Sequence, residues 1–241
     1  MKSISTPAIL PGLGIVAAIG LAGFAAVKPI GAPSFEVRVE QALLENPDIM
    51  VRAFAKLEQQ QANEEAAAEQ GRISDIADDL FARLDATKPI LVELLDYNCG
   101  YCRRAHETVV ALRRKNPDLQ YVRVETPILG AASTLASEVA LTVHETHGAA
   151  AYDRFANALM TLAGPVNPTS VRQLLTAQGF DAEAILEKAH AGAADAALAQ
   201  AAQIARRLGA NGTPVFVGPS GMVRGAGSGD ELMKIASPAQ S

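Results

Sequence analysis

Tryptophan is absent from this chain, aromatic residues make up 5% of it, and cysteine occurs only twice. Each shortage excludes something. With so few aromatic rings there are no stacking platforms for single-stranded nucleic acid. Lys and Arg number 21 against 26 Asp and Glu, for a formal net charge of −5, and no basic block appears anywhere. Phosphate binding needs clustered cations, so no nucleic acid is expected as a partner. The two cysteines, Cys99 and Cys102, sit in one short motif and leave none for structural disulfides. A structural zinc site needs four ligands, and neither a second such motif nor a spaced His pair lies nearby in sequence. Met-rich and His-rich tracts are lacking as well, with 5 Met and 4 His in the whole chain. No internal repeats are found.

What the sequence does hold is an apolar fraction of 49% over 241 residues. That is enough for one domain of about 100–200 residues with accessory segments. The chain is organised around Tyr97-Asn98-Cys99-Gly100-Tyr101-Cys102-Arg103-Arg104. Before it runs Ile90-Leu91-Val92-Glu93-Leu94-Leu95, short, apolar and opened by Pro89, which reads as a buried strand. After it, Ala105, Val109 and Leu112 fall on one helical face. The cysteines therefore lie at a strand-to-helix junction, Cys99 at the helix start and Cys102 one turn in. The nucleophile in disulfide exchange is a thiolate, and a helix start presents unpaired N–H groups to it. The helix dipole alone supplies about 0.3–1 kcal/mol, less than one pKa unit. Hydrogen bonds and nearby cations must supply more, and Arg103 and Arg104 are the candidate cations. The exposed position assigns the nucleophile to Cys99 and the resolving thiol to Cys102.

Glu93 through Cys102, followed far downstream by Gly212-Thr213-Pro214-Val215-Phe216, resembles the DsbA-like branch of the thioredoxin-fold disulfide oxidoreductases. The resemblance covers roughly Ile90 to Ile235. It implies an α/β thioredoxin fold with a helical insertion at about residues 131–208. It also implies a cis bond before Pro214, with Thr213 offering backbone hydrogen bonds to a substrate strand. The activity implied is thiol–disulfide exchange in substrate proteins with no cofactor beyond the cysteine pair, and a membrane partner that recharges it. Gly100 and Tyr101, between the cysteines, resemble the dipeptide of disulfide isomerases, whereas strongly oxidising members more often carry Pro-His. Oxidase and isomerase both stay open on this reading.

The compartment follows from the N-terminus. An uncharged apolar run from about Ala8 to Val27 follows Lys2, with Gly23-Phe24-Ala25 as a small-x-small cleavage site. It reads as a secretory signal, with an uncleaved anchor as the alternative. Either places the remainder outside the cytosol, in the periplasm, where disulfide chemistry is favoured. Residues 28–72 then read as a linker and two helices broken at Asn46-Pro47. Two readings stand for this segment, a solvated helical spacer or an oligomerisation arm over residues 34–70. Residues 39–48 are similar to the N-terminal segment of copper-sensitivity-suppressor type C proteins, in which this arm can assemble trimers. The domain proper is expected over residues 73–241.

Five further positions bear on the site. Glu93, inside the apolar strand, is either a proton relay for Cys102 or a strand-end carboxylate in solvent. Asp96 caps the approach to the helix or hydrogen-bonds the loop. His106 reads as a surface residue one turn below Cys102, and His144 and His147 as ordinary surface histidines. The alternative to an enzyme is a periplasmic copper-binding or thiol-buffering protein that uses Cys99 and Cys102 as soft ligands.

Overall fold

The computed structural model describes residue 31 and residues 33–238; the expected signal or anchor over residues 1–27 lies outside them. Among the described residues no helix is long and apolar enough to cross a membrane. The chain divides into two compact units, one up to Phe54 and one from Ala55.

In the first unit, helix α1 spans Phe35–Glu45, and Ser34 caps its start by accepting from the Val37 amide. Asn46 ends it, its backbone N–H and its side-chain amide both donating to the Ala42 carbonyl. The expected break at Asn46-Pro47 is therefore present. The apolar side chains here face water: Phe35 is 72% exposed, Leu44 75%, Val51 69% and Phe54 58%.

Helix α2 spans Asp48–Asp75, longer than the sequence suggested. Its Ala, Glu and Gln content is strong in helix propensity, so it persists beyond the exposed apolar residues Val51 and Phe54 near its start. Within the second unit, the end of α2 is fastened to a β-hairpin. Glu69 accepts from the Met222 amide at 2.9 Å, and Gln70 donates to the Pro219 carbonyl at 3.2 Å. Ile73, Ile76 and Leu80 then enter the core, the last from the short helix α3 (Ala77–Phe81).

The four-stranded sheet is ordered β2-β1-β3-β4. Strand β1 (Ile90–Leu95) runs parallel to β2 (Gln120–Glu125) and antiparallel to β3 (Val215–Gly218). Strand β4 (Gly221–Arg224) returns beside β3. All six residues of β1 are buried, because both faces of the central strand are covered. Alternation along it separates two cores. Leu91 packs with Phe216 against Ala105 and Val109 of helix α4 (Gly100–Lys115) and Leu232 of α9 (Gly229–Ala236). Ile90, Val92 and Leu94 pack with Val215 and Val217 against Ile204 and Leu208 of α8 (Asp195–Leu208) and Ile73 of α2.

Between β2 and β3 lies the helical insertion: α5 (Ala131–Thr161), α6 (Pro168–Ala177), α7 (Ala182–His190) and α8. The insertion breaks at Gly164 and Gly179, both of which take positive φ. Two interruptions were not anticipated. Gly148 takes φ 82° and ψ 177° and kinks α5, and Gly192 takes φ 87° ahead of α8. Each sits in a run of alanines whose propensity hid the break. The insertion shares its core with the cysteine motif, Tyr97, Cys99 and Cys102 packing with Val139, Phe155 and Leu175.

Candidate active site

Strand β1 ends at Leu95, and Asp96 turns the chain toward α4. Both Asp96 carboxylate oxygens are buried and fully used. Oδ1 accepts from the Asn98 amide at 2.8 Å and the Ser133 hydroxyl at 2.7 Å. Oδ2 accepts from the amides of Ile128 at 2.8 Å and Leu129 at 3.0 Å. Asn98 extends the same clamp, accepting from the Val166 amide at 3.0 Å. Asp96 therefore serves as a loop fastener, and its carboxylate does not cap α4. That position belongs to Cys99.

Cys99 and Cys102 are free thiols, 7% and 0% exposed. The Thr213–Pro214 bond is cis, as expected, and brings the Thr213 carbonyl within 3.2 Å of Cys99 Sγ, which donates to it. Burial pushes the Cys99 pKa up. Hydrogen bonds from the Thr213 side chain, the Cys102 amide and thiol, and the Tyr101 amide outweigh it, so the net change is downward. The contact to the Thr213 carbonyl holds the thiol; the N–H groups at the start of α4 hold the thiolate. The Thr213 hydroxyl is buried with no other hydrogen-bond partner among the described residues. Burial pushes Cys102 strongly upward, helped by the charges of Cys99 and Glu93. One cysteine is thus poised to ionise and its neighbour to stay protonated.

The arginines do not do this. Arg103 donates to the carbonyls of Tyr97, Leu162 and Gly164, pinning the α5–α6 connection to the active-site helix. Arg104 stacks on Tyr101 at 4.1 Å. Gly100 and Tyr101 occupy the first helical turn, and Tyr101 is 61% exposed.

The DSBA-like thioredoxin domain family matches residues 90–235, which carry the strand, both cysteines and the cis Thr213–Pro214 bond just described. The chain belongs to the DSBA-like thioredoxin family. The chemistry of that family makes it a thiol–disulfide oxidoreductase. Among solved structures it is similar to a thioredoxin-like oxidoreductase from Silicibacter pomeroyi DSS-3, at 34% identity and TM-score 0.59, covering 66% of this chain and 94% of that one. The thiol–disulfide exchange protein α-DsbA2 from Wolbachia pipientis is 26% identical, with TM-score 0.61, 71% of this chain and 95% of that one covered. ScsC from Proteus mirabilis shares the fold at 24% identity and TM-score 0.58, over 83% of this chain and 94% of that one. No curated protein matches.

Beneath the cysteines of this DSBA-like domain lies a buried polar cluster that the sequence disclosed only in part. Glu93 is 1% exposed, in the middle of β1, which rules out the strand-end carboxylate in solvent. Tyr121 donates to its Oε2, while Oε1 is buried without a partner. Burial raises its pKa from 4.5 to about 7, against the lowering pull of Tyr121 and Arg123. Across the sheet, Glu125 accepts from the phenols of Tyr97 at 2.7 Å and Tyr152 at 2.6 Å. Burial raises Glu125 too, and raises all three tyrosines well above their ordinary value. Arg123 lies between the two carboxyls in sequence and bonds Asp153 at 2.7 Å and Asn157 at 2.6 Å.

His106 is a correction: it is 5% exposed, buried on the inner face of α4, and burial lowers its pKa. His144 and His147 are exposed, as expected, and rest edge-on against Tyr152 and Phe180.

Proposed function

We propose that this chain is an exported enzyme that reshuffles or reduces disulfides in substrate proteins, with Cys99 as nucleophile and Cys102 as resolving thiol. The asymmetry of the two thiols carries the reading: the less buried one is pushed toward thiolate and the fully buried one away from it. Cys99 attacks a substrate disulfide, a Cys99–substrate disulfide forms, and the substrate's other sulfur leaves as a thiolate that takes a proton. Cys102 then attacks Cys99, the substrate thiol departs, and the intramolecular disulfide remains for a membrane partner to reduce. Thr213 and Pro214 frame the substrate strand. Glu93 takes the Cys102 proton when that thiol attacks, a role supported by its unpartnered Oε1 and its pKa near 7. The exposed Phe35, Leu44, Val51 and Phe54 support an arm over residues 34–70 that joins copies of the chain, because exposed apolar rows mark interaction sites. The periplasm is the compartment that fits this chemistry.

The Cys99–Cys102 equilibrium with glutathione tests the direction. A reduction potential at or below about −180 mV is expected; a value near −120 mV would mark a disulfide donor instead. Sedimentation of the same protein should show more than one copy per particle, and a monomer at every concentration would remove the arm's role.

Glu93→Gln tests the relay. Folding raises the Glu93 pKa, so the stability it contributes is complete below about pH 4.5 and is lost as pH rises through about 7. The rise from 4.5 to about 7 corresponds to about 3 kcal/mol. Wild type should therefore lose more stability than the variant between these pH values. The variant should also resolve mixed disulfides more slowly, with the pH dependence near 7 gone. An unchanged pH profile of resolution would leave Glu93 with no part in proton transfer.

A further inference from the structure

At the β2 edge of the sheet opens a cavity of about 770 Å3, a size within the range of about 300–1,000 Å3 found for small-molecule sites. Neither the cysteines nor Thr213 line it. Three guanidinium groups do, those of Arg83, Arg113 and Arg123, together with His144 and against a single carboxylate, Asp153. The whole chain has a net charge of −5, so this gathering of cations is local.

Asp153 does not saturate them. It accepts from Arg113 Nη1 and Nη2 at 3.1 and 3.2 Å and from Arg123 Nη1 at 2.7 Å. A guanidinium carries five N–H donors. Arg123 gives one more to Asn157, and the Nε of this 3% exposed side chain is buried without a partner among the described residues. Arg83 is exposed and joins no ion pair among the described residues. Glu93 and Glu125 accept from the phenols of Tyr121 and Tyr152 and do not line the cavity.

Two further features favour an anion with an organic body. The Tyr121 ring gathers two of the arginines, Arg113 at 5.2 Å and Arg123 at 4.9 Å from its centroid. Tyr152, Val122 and Leu141 extend that apolar wall. The kink in α5 supplies the other feature. Gly148 leaves the helical conformation, so the second half of α5 starts at Ala149, and Ala149 and Ala150 border the cavity. The first amides of a helix lack intrahelical partners and attract anions. Glycine at that position has no side chain to cap them.

We propose that this cavity binds a small organic dianion, with a phosphate or a pair of carboxylates on an apolar body. Three guanidiniums against one carboxylate leave two positive charges to be matched. The forks of Arg113 and Arg123 and the start of the helix at Ala149 take the anionic head, and Tyr121, Tyr152 and Leu141 cover the body. This site does not depend on the oxidoreductase reading.

Isothermal titration calorimetry of the protein at low ionic strength tests it. Phenyl phosphate and phthalate are the probes, and benzyl alcohol is their uncharged counterpart. One dianion or both should bind saturably at submillimolar concentration, and the tighter of the two tells a phosphate site from a dicarboxylate site; benzyl alcohol should not bind. Arg83→Gln, a change at an exposed side chain, should weaken binding about tenfold. Ala149→Glu puts a negative charge at the cavity, where the first turn of a helix tolerates an acid, and should abolish binding. Ala149→Lys, of similar bulk and opposite charge, should retain it. No saturable binding of either dianion to wild type would overturn the site. Binding unchanged by Ala149→Glu, or lost equally in Ala149→Glu and Ala149→Lys, would overturn it too.

Discussion

With Cys102 replaced by Ser, the protein is expected to stop with its substrate attached. Cys99 keeps the groups that lower its pKa at the head of α4, the Tyr101 and Cys102 backbone amides among them, so capture continues. Release in wild type is intramolecular, from a thiol already held one helical turn away. Without that thiol, release waits for an external one, and the mixed disulfide should last about a thousandfold longer or more. A non-reducing gel of the variant mixed with an oxidised substrate would show a slower band that dithiothreitol abolishes. Cys99→Ser in parallel should show no such band. A band with Cys99→Ser but not with Cys102→Ser would reverse the two assignments. The same comparison speaks to burial, because a fully covered Cys102 is a poor target for a protein-sized substrate.

The second large effect is structural. Asp96→Ala takes the acceptor from four donors, the buried Ser133 hydroxyl and the part-buried amides of Asn98, Ile128 and Leu129. Bonds to a charged acceptor are individually worth about 1.5–3 kcal/mol, and buried donors left unmade cost more than the mean bond returns. The four share one carboxylate and are not additive, so the net loss should be about 3–5 kcal/mol in urea unfolding. Asp96→Asn should lose less, since the amide keeps one oxygen but points an N–H2 at the other pair of donors. A change within about 0.5 kcal/mol for Asp96→Ala, the range of ordinary surface substitutions, would mean that water replaces the carboxylate. The fold would then not depend on this clamp.

Much of this arrangement could be seen in advance, for reasons that differ by residue. Strand β1 was legible because a short apolar run with a proline before it has few other uses. The cysteines were legible as a pair because the helix face after Cys102 fixed which of them sits at the helix start. Thr213 was legible only through the resemblance, since nothing local says that a Thr-Pro far downstream folds back onto Cys99. Glu93 raised the right question, but its answer lay in Tyr121 on another strand, and strand pairing is not written in spacing. The same applies to Asp96: its acceptor role was foreseen, while Ser133 and the amides of Ile128 and Leu129 carry no signal that they will meet it. His106 was misplaced because the helix face was judged from its apolar members alone. Counting along α4, His106 is one residue past Ala105 and belongs to the same buried side. The kink at Gly148 was missed for the opposite reason, since its alanine surroundings are strong helix formers and one glycine inside them looked tolerable.

The tyrosines bonded to Glu93 and Glu125 have an optical consequence. With no tryptophan to mask them, the near-ultraviolet absorbance of the protein comes from four phenol rings. Three of them, Tyr97, Tyr121 and Tyr152, are bonded to Glu93 or Glu125 and hold their protons far beyond the ordinary range. Those rings cannot become phenolate while the cluster stays closed. In an alkaline titration the rise in phenolate absorbance from these three is therefore the opening of the protein, recorded by its own chromophores and centred beneath the cysteine pair.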